Sequence, residues 1–255
     1  MKTFVVTAIA LVGLGSNAFA ADQPAAGAAP VVKAAALPKF SWTGCYVGVS
    51  GGGNWGDSEQ IARSGNVAGT TITGNFRLKG SIAGGTLGCD YQIEQTVIGF
   101  ENDASWTDQH GSAPDLPPFN VRVTSSTREK WIDTLRGRVG YAFDHFLLYG
   151  TGGVAFAGTD VIVSTQAAAV SASATRTGLA VGVGGEWAAW VASWGAVSFK
   201  LEYLHADFGS KQYIDAPAPV GAVLAVTRDV KLTDDIVRAG VNVRFNWGGA
   251  PAAAK

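Results

Sequence analysis

A glycine-rich stretch near the start of the chain is the first candidate for chemistry. It reads WTGCYVGVSGGGNW from Trp42 to Trp55, and glycine-rich loops can cradle phosphate groups. A phosphate loop requires Gly-Lys-Ser/Thr, or a following helix with an acidic residue about twenty positions further on. Neither is present. The stretch instead alternates, with Cys45, Val47 and Val49 on one face, which is typical of a β-strand.

The histidines are the next candidates. His110, His145 and His205 are scattered over a predicted loop, a turn and a strand rim, without the spacing of metal ligands. His205 shares a face with Asp207, a pair that could serve a lipid-modifying enzyme, but no serine partner can be assigned to it. The sequence therefore predicts no catalytic residue, no cofactor and no metal site.

The two cysteines, Cys45 and Cys89, are predicted on the outward faces of adjacent strands. An antiparallel hairpin that pairs them would centre on residue 67, inside the first predicted loop. A cross-strand disulfide in an oxidising compartment and two separate buried thiols are both compatible with the sequence.

The ends of the chain differ from its body. Residues 1–20 combine an early lysine, a short apolar stretch and a small-x-small ending, which predicts a secretory signal peptide cleaved before Ala21. Residues 21–39 form an Ala/Pro-rich leader and residues 248–255 a similar tail, both predicted to be flexible. Residues 40–247 are therefore predicted to carry the fold.

The composition excludes several classes of protein. A net charge of −1 gives no strong attraction to nucleic acid. Charged residues make up 15% of the chain, against roughly 25% in soluble domains. Residues 178–199 are apolar enough to suggest a membrane helix, but their glycines, Glu186 and an alternation by two favour a strand.

Eight segments of the body alternate with period two and are predicted to be strands. In the last of them Val237, Val241 and Phe245 share one face, and Arg238 and Arg244 the other. The eight segments are Trp42–Trp55, Leu78–Ile93, Thr96–Trp106, Lys130–Phe143, Phe146–Ser164, Thr175–Ala188, Gly195–Phe208 and Asp234–Trp247.

The apolar faces are predicted to meet lipid, because tyrosine and tryptophan stand near the strand ends as interfacial girdles require. A soluble β-sandwich also alternates, but its core would not hold the charges on the opposite faces, since unpaired buried charge is costly. The predicted fold is therefore all-β: an eight-stranded antiparallel transmembrane up-and-down β-barrel. Asn102 and Asp133 are polar residues on the predicted outward faces. A position near the outer rim would explain Asp133, whereas Asn102 has no explanation from the sequence. The predicted lumen charge network is Glu101, Asp103, Arg136, Arg138, Glu186, Lys200, Glu202, Arg238 and Arg244.

Several stretches resemble the Omp25/Omp31 group of small outer-membrane proteins of alphaproteobacteria, within the OmpA-like eight-stranded barrel class. The stretches are FSWTGCYVGVSGG (40–52), VIGFENDASW (97–106), TLRGRVGYAFDHFLLYGTGGVAFA (134–157), TGLAVGVGGEW (177–187), KLEYLHADFG (200–209) and VRAGVNVRF (237–245). The resemblance implies outer-membrane residence, surface-exposed loops, and assembly by periplasmic chaperones and the barrel-insertion machinery. It also implies an insertion signal at Arg238, Gly240, Val243 and Phe245, although the family usually ends at that aromatic and this chain continues to Lys255.

These observations predict a non-enzymatic structural protein of the Gram-negative outer membrane that supports envelope integrity and surface interactions. Its expected partners are outer-membrane lipid and lipopolysaccharide, with no nucleic acid. An even number of strands puts both ends of the barrel on the same side of the membrane. The links after the second, fourth and sixth strands are short and the others long, which predicts that both mature termini lie in the periplasm. A small-solute porin and a lipid-modifying barrel enzyme are the alternatives.

Overall fold

The computed structural model describes residues 40–63, 67–165, 169–214 and 227–245. The predicted signal peptide, leader and tail, together with Trp247, lie outside these residues. Among the described residues, no helix has the length and apolar character needed to span a bilayer.

The described chain forms nine antiparallel strands, most of them about twenty residues long. They are β1 (Gly44–Ala62), β2 (Thr71–Ile93), β3 (Thr96–Thr107), β4 (His110–Pro114), β5 (Thr124–Phe143), β6 (Phe146–Ser164), β7 (Ala169–Ala192), β8 (Gly195–Ile214) and β9 (Thr227–Phe245).

The strands close into a ring. β1 pairs with β2 on one side and with β9 on the other, so the first and last strands complete the sheet. β4 follows β3 after a short break and, like β3, pairs with both β2 and β5. β3 and β4 therefore occupy the same place between β2 and β5, and the ring has eight strand positions. This confirms the predicted eight-stranded barrel. β4 itself was expected to be loop.

The register sets the tilt of the strands. Starting at Cys45 and stepping from partner to partner round the ring returns to β1 at Trp55, ten residues further on. For eight positions, this stagger corresponds to a tilt of roughly 40° and an interior that side chains can fill.

Most observed strands are longer than the predicted segments, above all at the end of the barrel where long loops are predicted. β1 continues to Ala62 and β2 begins at Thr71, so most of the predicted loop 56–77 is sheet. Beyond Trp55 polar residues lie on both faces, and the apolar alternation that marks a strand disappears although the ladder of backbone hydrogen bonds continues. The predicted link between the sixth and seventh segments, residues 189–194, is also wrong in extent, because β7 runs to Ala192 through a bulge near Trp190.

The two ends of the ring differ. At the end called here the turn end, two-residue turns follow β2, β5 and β7 at residues 94–95, 144–145 and 193–194. The opposite end, called the loop end, carries the longer connections. Exposed aromatic side chains form a girdle on the outer surface near each end of the ring. They are Tyr91, Tyr141, Trp187 and Phe245 near the turn end, and Trp55, Trp106 and Trp131 near the loop end.

Between these aromatic girdles, most outward side chains are apolar and exposed, whereas the inward ones are buried. β8 shows the contrast in three consecutive residues: Leu201 is 62% exposed, and its neighbours Lys200 and Glu202 are 2% and 1% exposed. The core of this molecule is therefore its lumen.

Inward glycines make room for two tyrosine rings in the lumen. A Cβ atom on Gly88 would lie 2.3 Å from the Tyr46 hydroxyl, and one on Gly184 would lie 2.5 Å from the ring of Tyr149. Both tyrosines consequently lie across the lumen, where they reach the charged groups described below.

Candidate functional site

The centre of the lumen is a six-membered group of charges, called here the central network, supplied by β3, β5, β8 and β9. Its members are Glu101, Asp103, Arg136, Lys200, Glu202 and Arg238. Three are cations and three are anions, so the group can be neutral as a whole. All six side chains are almost completely buried.

Arg136 is the hub of the central network. Its Nη2 donates to Glu101 Oε1 at 2.7 Å and to Asp103, and its Nη1 donates to Glu202 Oε1 at 3.1 Å. Glu101 is the direct register partner of Arg136, whereas Glu202 lies across the lumen on β8. One guanidinium therefore joins three carboxylates from two sides of the ring.

Two further cations complete the central network. Arg238 Nη2 lies 2.6 Å from Asp103 Oδ2 and 2.5 Å from Glu202 Oε2, and Lys200 Nζ donates to Glu101 Oε1 at 3.0 Å. The three carboxylates place oxygen atoms within 4.8 Å of one another, a spacing at which a metal ion could be held. Here each carboxylate is paired with at least one Arg or Lys, so the donor set is already engaged.

A second group of charges, the lower network, lies nearer the turn end. Arg138 donates to both oxygens of Asp90 and, at 3.2 Å, to Glu186. Arg244 lies 2.7 Å from Asp90, while Ser198 and Asn242 donate to Glu186 at 2.5 and 3.1 Å. Two cations again balance two anions. The Arg138 Nη1 also lies 3.5 Å from Glu101, which connects the two networks.

Aromatic side chains bind the networks together. The Arg138 guanidinium lies 4.8 Å from the ring centroid of Tyr46 and 5.0 Å from that of Tyr149, within cation–π distance of both. The hydroxyls of the two tyrosines donate to Glu101 at 2.7 Å and to Glu202 at 3.0 Å. Each ring thus contacts the lower network while its hydroxyl contacts the central one.

Trp42, just before β1, closes the lumen at the turn end. Its side chain is fully buried, its indole Nε1 donates to Asp144 O at 3.0 Å, and its backbone N donates to Gln92 Oε1 at 2.7 Å. Arg244 stacks on the indole at 5.1 Å and donates to Trp42 O at 2.6 Å. Residues 40–43 therefore fold into the mouth of the ring.

The sequence of the whole sheet matches a known family. It fits the outer membrane protein beta-barrel domain (OMP_b-brl) over residues 7–245. The chain belongs to this family.

The chain is also similar to individual proteins. The chain is 27% identical to the 31 kDa outer-membrane immunogenic protein of Brucella melitensis, over 96% of this chain and 100% of the relative. It is 32% identical to the 22 kDa outer membrane protein of Rhizobium leguminosarum, over 69% of each chain. The crystal structure of OprG from Pseudomonas aeruginosa aligns over 80% of this chain and 97% of OprG, with 12% identity and a TM-score of 0.47.

The nine residues predicted for the lumen of this outer-membrane β-barrel all lie inside it. Six of them form the central network, and Arg138, Glu186 and Arg244 belong to the lower one. Asp90 was missed, although it shares the inward parity of Thr86 on β2. Tyr46 and Tyr149 were missed because nothing in their spacing shows that an inward tyrosine will reach a carboxylate.

A third polar group, near the loop end of the barrel, was missed altogether. Asp234 accepts hydrogen bonds from Gln109 at 2.7 Å and from Asn54 at 3.4 Å. Glu129 is buried, and neither of its oxygens has a hydrogen-bond partner among the described residues. Burial raises the pKa of the Glu129 carboxyl well above its usual range; nearby Asp234 raises it further, and Arg176 opposes the shift. The bulge between Glu129 and Trp131 reverses the parity of β5, which hides Glu129 from an alternation pattern.

The lipid-facing surface of the barrel carries two polar groups of its own. Asn102 donates to Asp133 Oδ1 at 2.7 Å and to the backbone O of Thr134 at 3.1 Å, which explains how an amide is accommodated among apolar side chains. His205 lies 2.8 Å from Asp235, which also accepts the Tyr203 hydroxyl at 2.6 Å. No serine hydroxyl bonds His205 among the residues that the structure describes.

Cys45 and Cys89 lie directly opposite each other on β1 and β2 and form a disulfide. It joins two neighbouring strands on the outward face, near the turn-end girdle. The structure thus selects the cross-strand bridge from the two alternatives that the sequence left.

We expect that neither cysteine of the denatured, unreduced protein reacts with an alkylating reagent, and that both react after reduction. Mass spectrometry would count the labels. A Cys45→Ala variant is the matched control, because its remaining Cys89 should take one label with or without reduction. Two labels on the unreduced wild-type protein would contradict the bridge.

Proposed function

We propose that this protein is a closed, non-catalytic structural barrel of the outer membrane, which supports envelope integrity and presents its loop end to the surroundings. The observation that carries this proposal is the filled lumen. The central network, the lower network and Trp42 lie one below the other along the axis, and their side chains are almost completely buried. An eight-stranded barrel has an interior that side chains can fill, and these side chains leave no wide aqueous path.

The orientation we propose places the turn end in the periplasm and the loop end outside. Short periplasmic turns and longer external loops are the arrangement of bacterial outer-membrane barrels. Phe40 packs beside Trp42 at the turn end, and Phe245 ends β9 at the same level. Both termini of the described barrel lie at the turn end, which supports periplasmic mature termini.

The partners we propose follow from this placement. Outer-membrane lipid and lipopolysaccharide surround the apolar band, and periplasmic chaperones and the barrel-assembly machinery deliver the chain. In the proposed insertion signal, Val243 and Phe245 face outward, whereas Arg238 points into the central network. The relatives named as immunogenic proteins support display of the loop end at the cell surface.

The purified protein in planar lipid bilayers is expected to give no stable ion-conducting openings, because paired charges fill the barrel. A sixteen-stranded porin inserted under the same conditions is the positive control, since barrels of that size leave an aqueous channel. Reproducible openings of constant conductance from this protein would overturn the closed-lumen proposal and favour the small-solute porin.

The lipid-modifying alternative has its own readout. It would draw on His205, which pairs with Asp235 and not with Asp207 as expected, so it requires that lipid A change when the protein is absent. We expect identical lipid A mass spectra from a deletion strain and its parent. A lipid A species lost on deletion and restored by the wild-type chain, but not by a His205→Ala variant, would favour the enzyme.

A further inference from the structure

Basic side chains line up across three strands at the loop end of the barrel. Lys79 on β2 is the register partner of His110 on β4, and His110 is the partner of Arg128 on β5. All three side chains point outward and are exposed. We call them, with the exposed Arg77 and Lys130 beside them, the basic row.

The basic row lies just outside the loop-end girdle. Lys79 is the register partner of Trp55 on β1. Trp106 lies four residues before His110 along the chain, and its register partner Trp131 lies three residues after Arg128. At about 3.3 Å per residue on strands tilted by roughly 40°, the row stands within about 10 Å of the girdle. Tryptophan side chains sit at the headgroup level of a bilayer, and headgroups occupy roughly 5–8 Å on each side of the hydrocarbon. The row is therefore level with the headgroups and what lies immediately outside them.

Most basic side chains of the row form no ion pair with a described residue. Lys130 pairs with Asp160, but Arg77, Lys79 and Arg128 have no ion pair with any residue that the structure describes. The nearby acids are Asp57, opposite Arg77 in the register, Asp160, opposite Arg128, and Asp108. The Asp108 carboxylate accepts the backbone N–H of Ser81 at 2.6 Å, and its backbone O lies 2.7 Å from His110 Nδ1.

The far side of the barrel carries fewer basic side chains. There the outward residues of β8 and β9 near the girdle include the acidic Asp207 and Asp235, the latter engaged by His205 and Tyr203. Lys211 and Lys231 stand at about the height of the basic row, and Lys211 donates to the backbone of Thr175. At this height, five basic side chains therefore lie on the β2–β4–β5 face and two on the β8–β9 face.

We propose that the basic row binds the phosphate groups of lipopolysaccharide in the outer leaflet. Arginine donates two parallel hydrogen bonds to a phosphate, and lysine acts on it as a point charge. Below the row, Trp106 is 75% exposed and provides an apolar surface for the acyl chains of the same molecule. The proposal rests on the orientation proposed above, in which the loop end meets the outer leaflet.

The test compares two double variants with the same change of charge. Lys79→Gln with Arg128→Gln removes the centre of the basic row, and Lys211→Gln with Lys231→Gln removes two exposed cations from the far side. Binding of deep-rough lipopolysaccharide to barrels in phospholipid nanodiscs is measured by calorimetry. At roughly fivefold for each surface cation, the first variant should bind about 10- to 30-fold more weakly than wild type, and the second should bind unchanged.

Two further arms identify the ligand. Lipopolysaccharide stripped of its phosphates should bind wild type at least as weakly as intact lipopolysaccharide binds the Lys79/Arg128 variant. Inorganic phosphate at millimolar concentration should not compete, because it lacks the acyl chains that the tryptophans contact. Equal losses in the two double variants, unchanged binding of the stripped lipid, or full competition by inorganic phosphate would each overturn the proposal. A conducting barrel would refute the closed lumen without affecting these measurements, so the two failures are distinguishable.

Discussion

An Arg136→Met variant is expected to lose about 3–5 kcal/mol of folding stability, which is the usual cost of removing one partner from a buried ion pair. Arg136 contacts Glu101, Asp103 and Glu202, and methionine would leave these three buried carboxylates with Lys200 and Arg238, because the nearby Arg138 already pairs with Asp90 and Glu186. Those two cations cannot balance three anions. The barrel therefore has to bury a net negative charge or protonate one carboxyl group, and either outcome lowers its stability.

The measurement uses the difference in gel mobility between folded and heat-unfolded barrels in detergent, followed over a urea series. Arg122→Met is the matched control, because Arg122 is exposed at the loop end; its effect should stay within about 0.5 kcal/mol. If Arg136→Met does not fold at all, adding Glu202→Gln should recover folding, since the second change removes an uncompensated charge. A single variant as stable as wild type, or a double variant less stable than the single, would show that the central network does not hold the barrel together.

A Leu201→Arg variant tests which face of the sheet meets lipid. Leu201 lies on the outward face of β8, near the middle of the apolar band, and is 62% exposed. An arginine at the midplane of a membrane barrel costs about 2–4 kcal/mol, whereas one near the interface costs about 0–1 kcal/mol. We expect the larger loss at Leu201, measured by urea unfolding of the barrel in phospholipid vesicles.

The control for this variant is Thr177→Arg, which introduces the same charge on β7 at the outer edge of the apolar band. It should cost less than about 1 kcal/mol, as expected near the interface. Equal and small effects at both positions would mean that the outward face meets water, and the membrane assignment would fail. The neighbours of Leu201 point the other way into the lumen, so a loss at Leu201 cannot come from disturbing the central network directly.

Much of this fold can be read from local pattern. Alternation on β9 separates Val237, Val241 and Val243 from Arg238 and Arg244 without any knowledge of the other strands, because successive side chains of a strand point to opposite faces. The pattern fails where both faces become polar, as in β1 beyond Trp55, and where a bulge reverses parity, as at Glu129. In both places the backbone ladder continues, but side-chain hydrophobicity no longer reports it.

Where one face is apolar and no bulge intervenes, the sequence alone determined which side chains face inward, because that choice depends only on parity along each strand. Which of them meet was decided by the tertiary structure, through ring closure and the ten-residue stagger of the register. Arg136 faces Glu101 because β3 and β5 are neighbours in that register, but it reaches Glu202 only because the closed ring brings β8 to the opposite wall of a narrow lumen. Pairing across the lumen depends on tilt and radius, which belong to the whole barrel and to no single strand. Ion pairs between distant strands therefore emerge only when the sheet is closed.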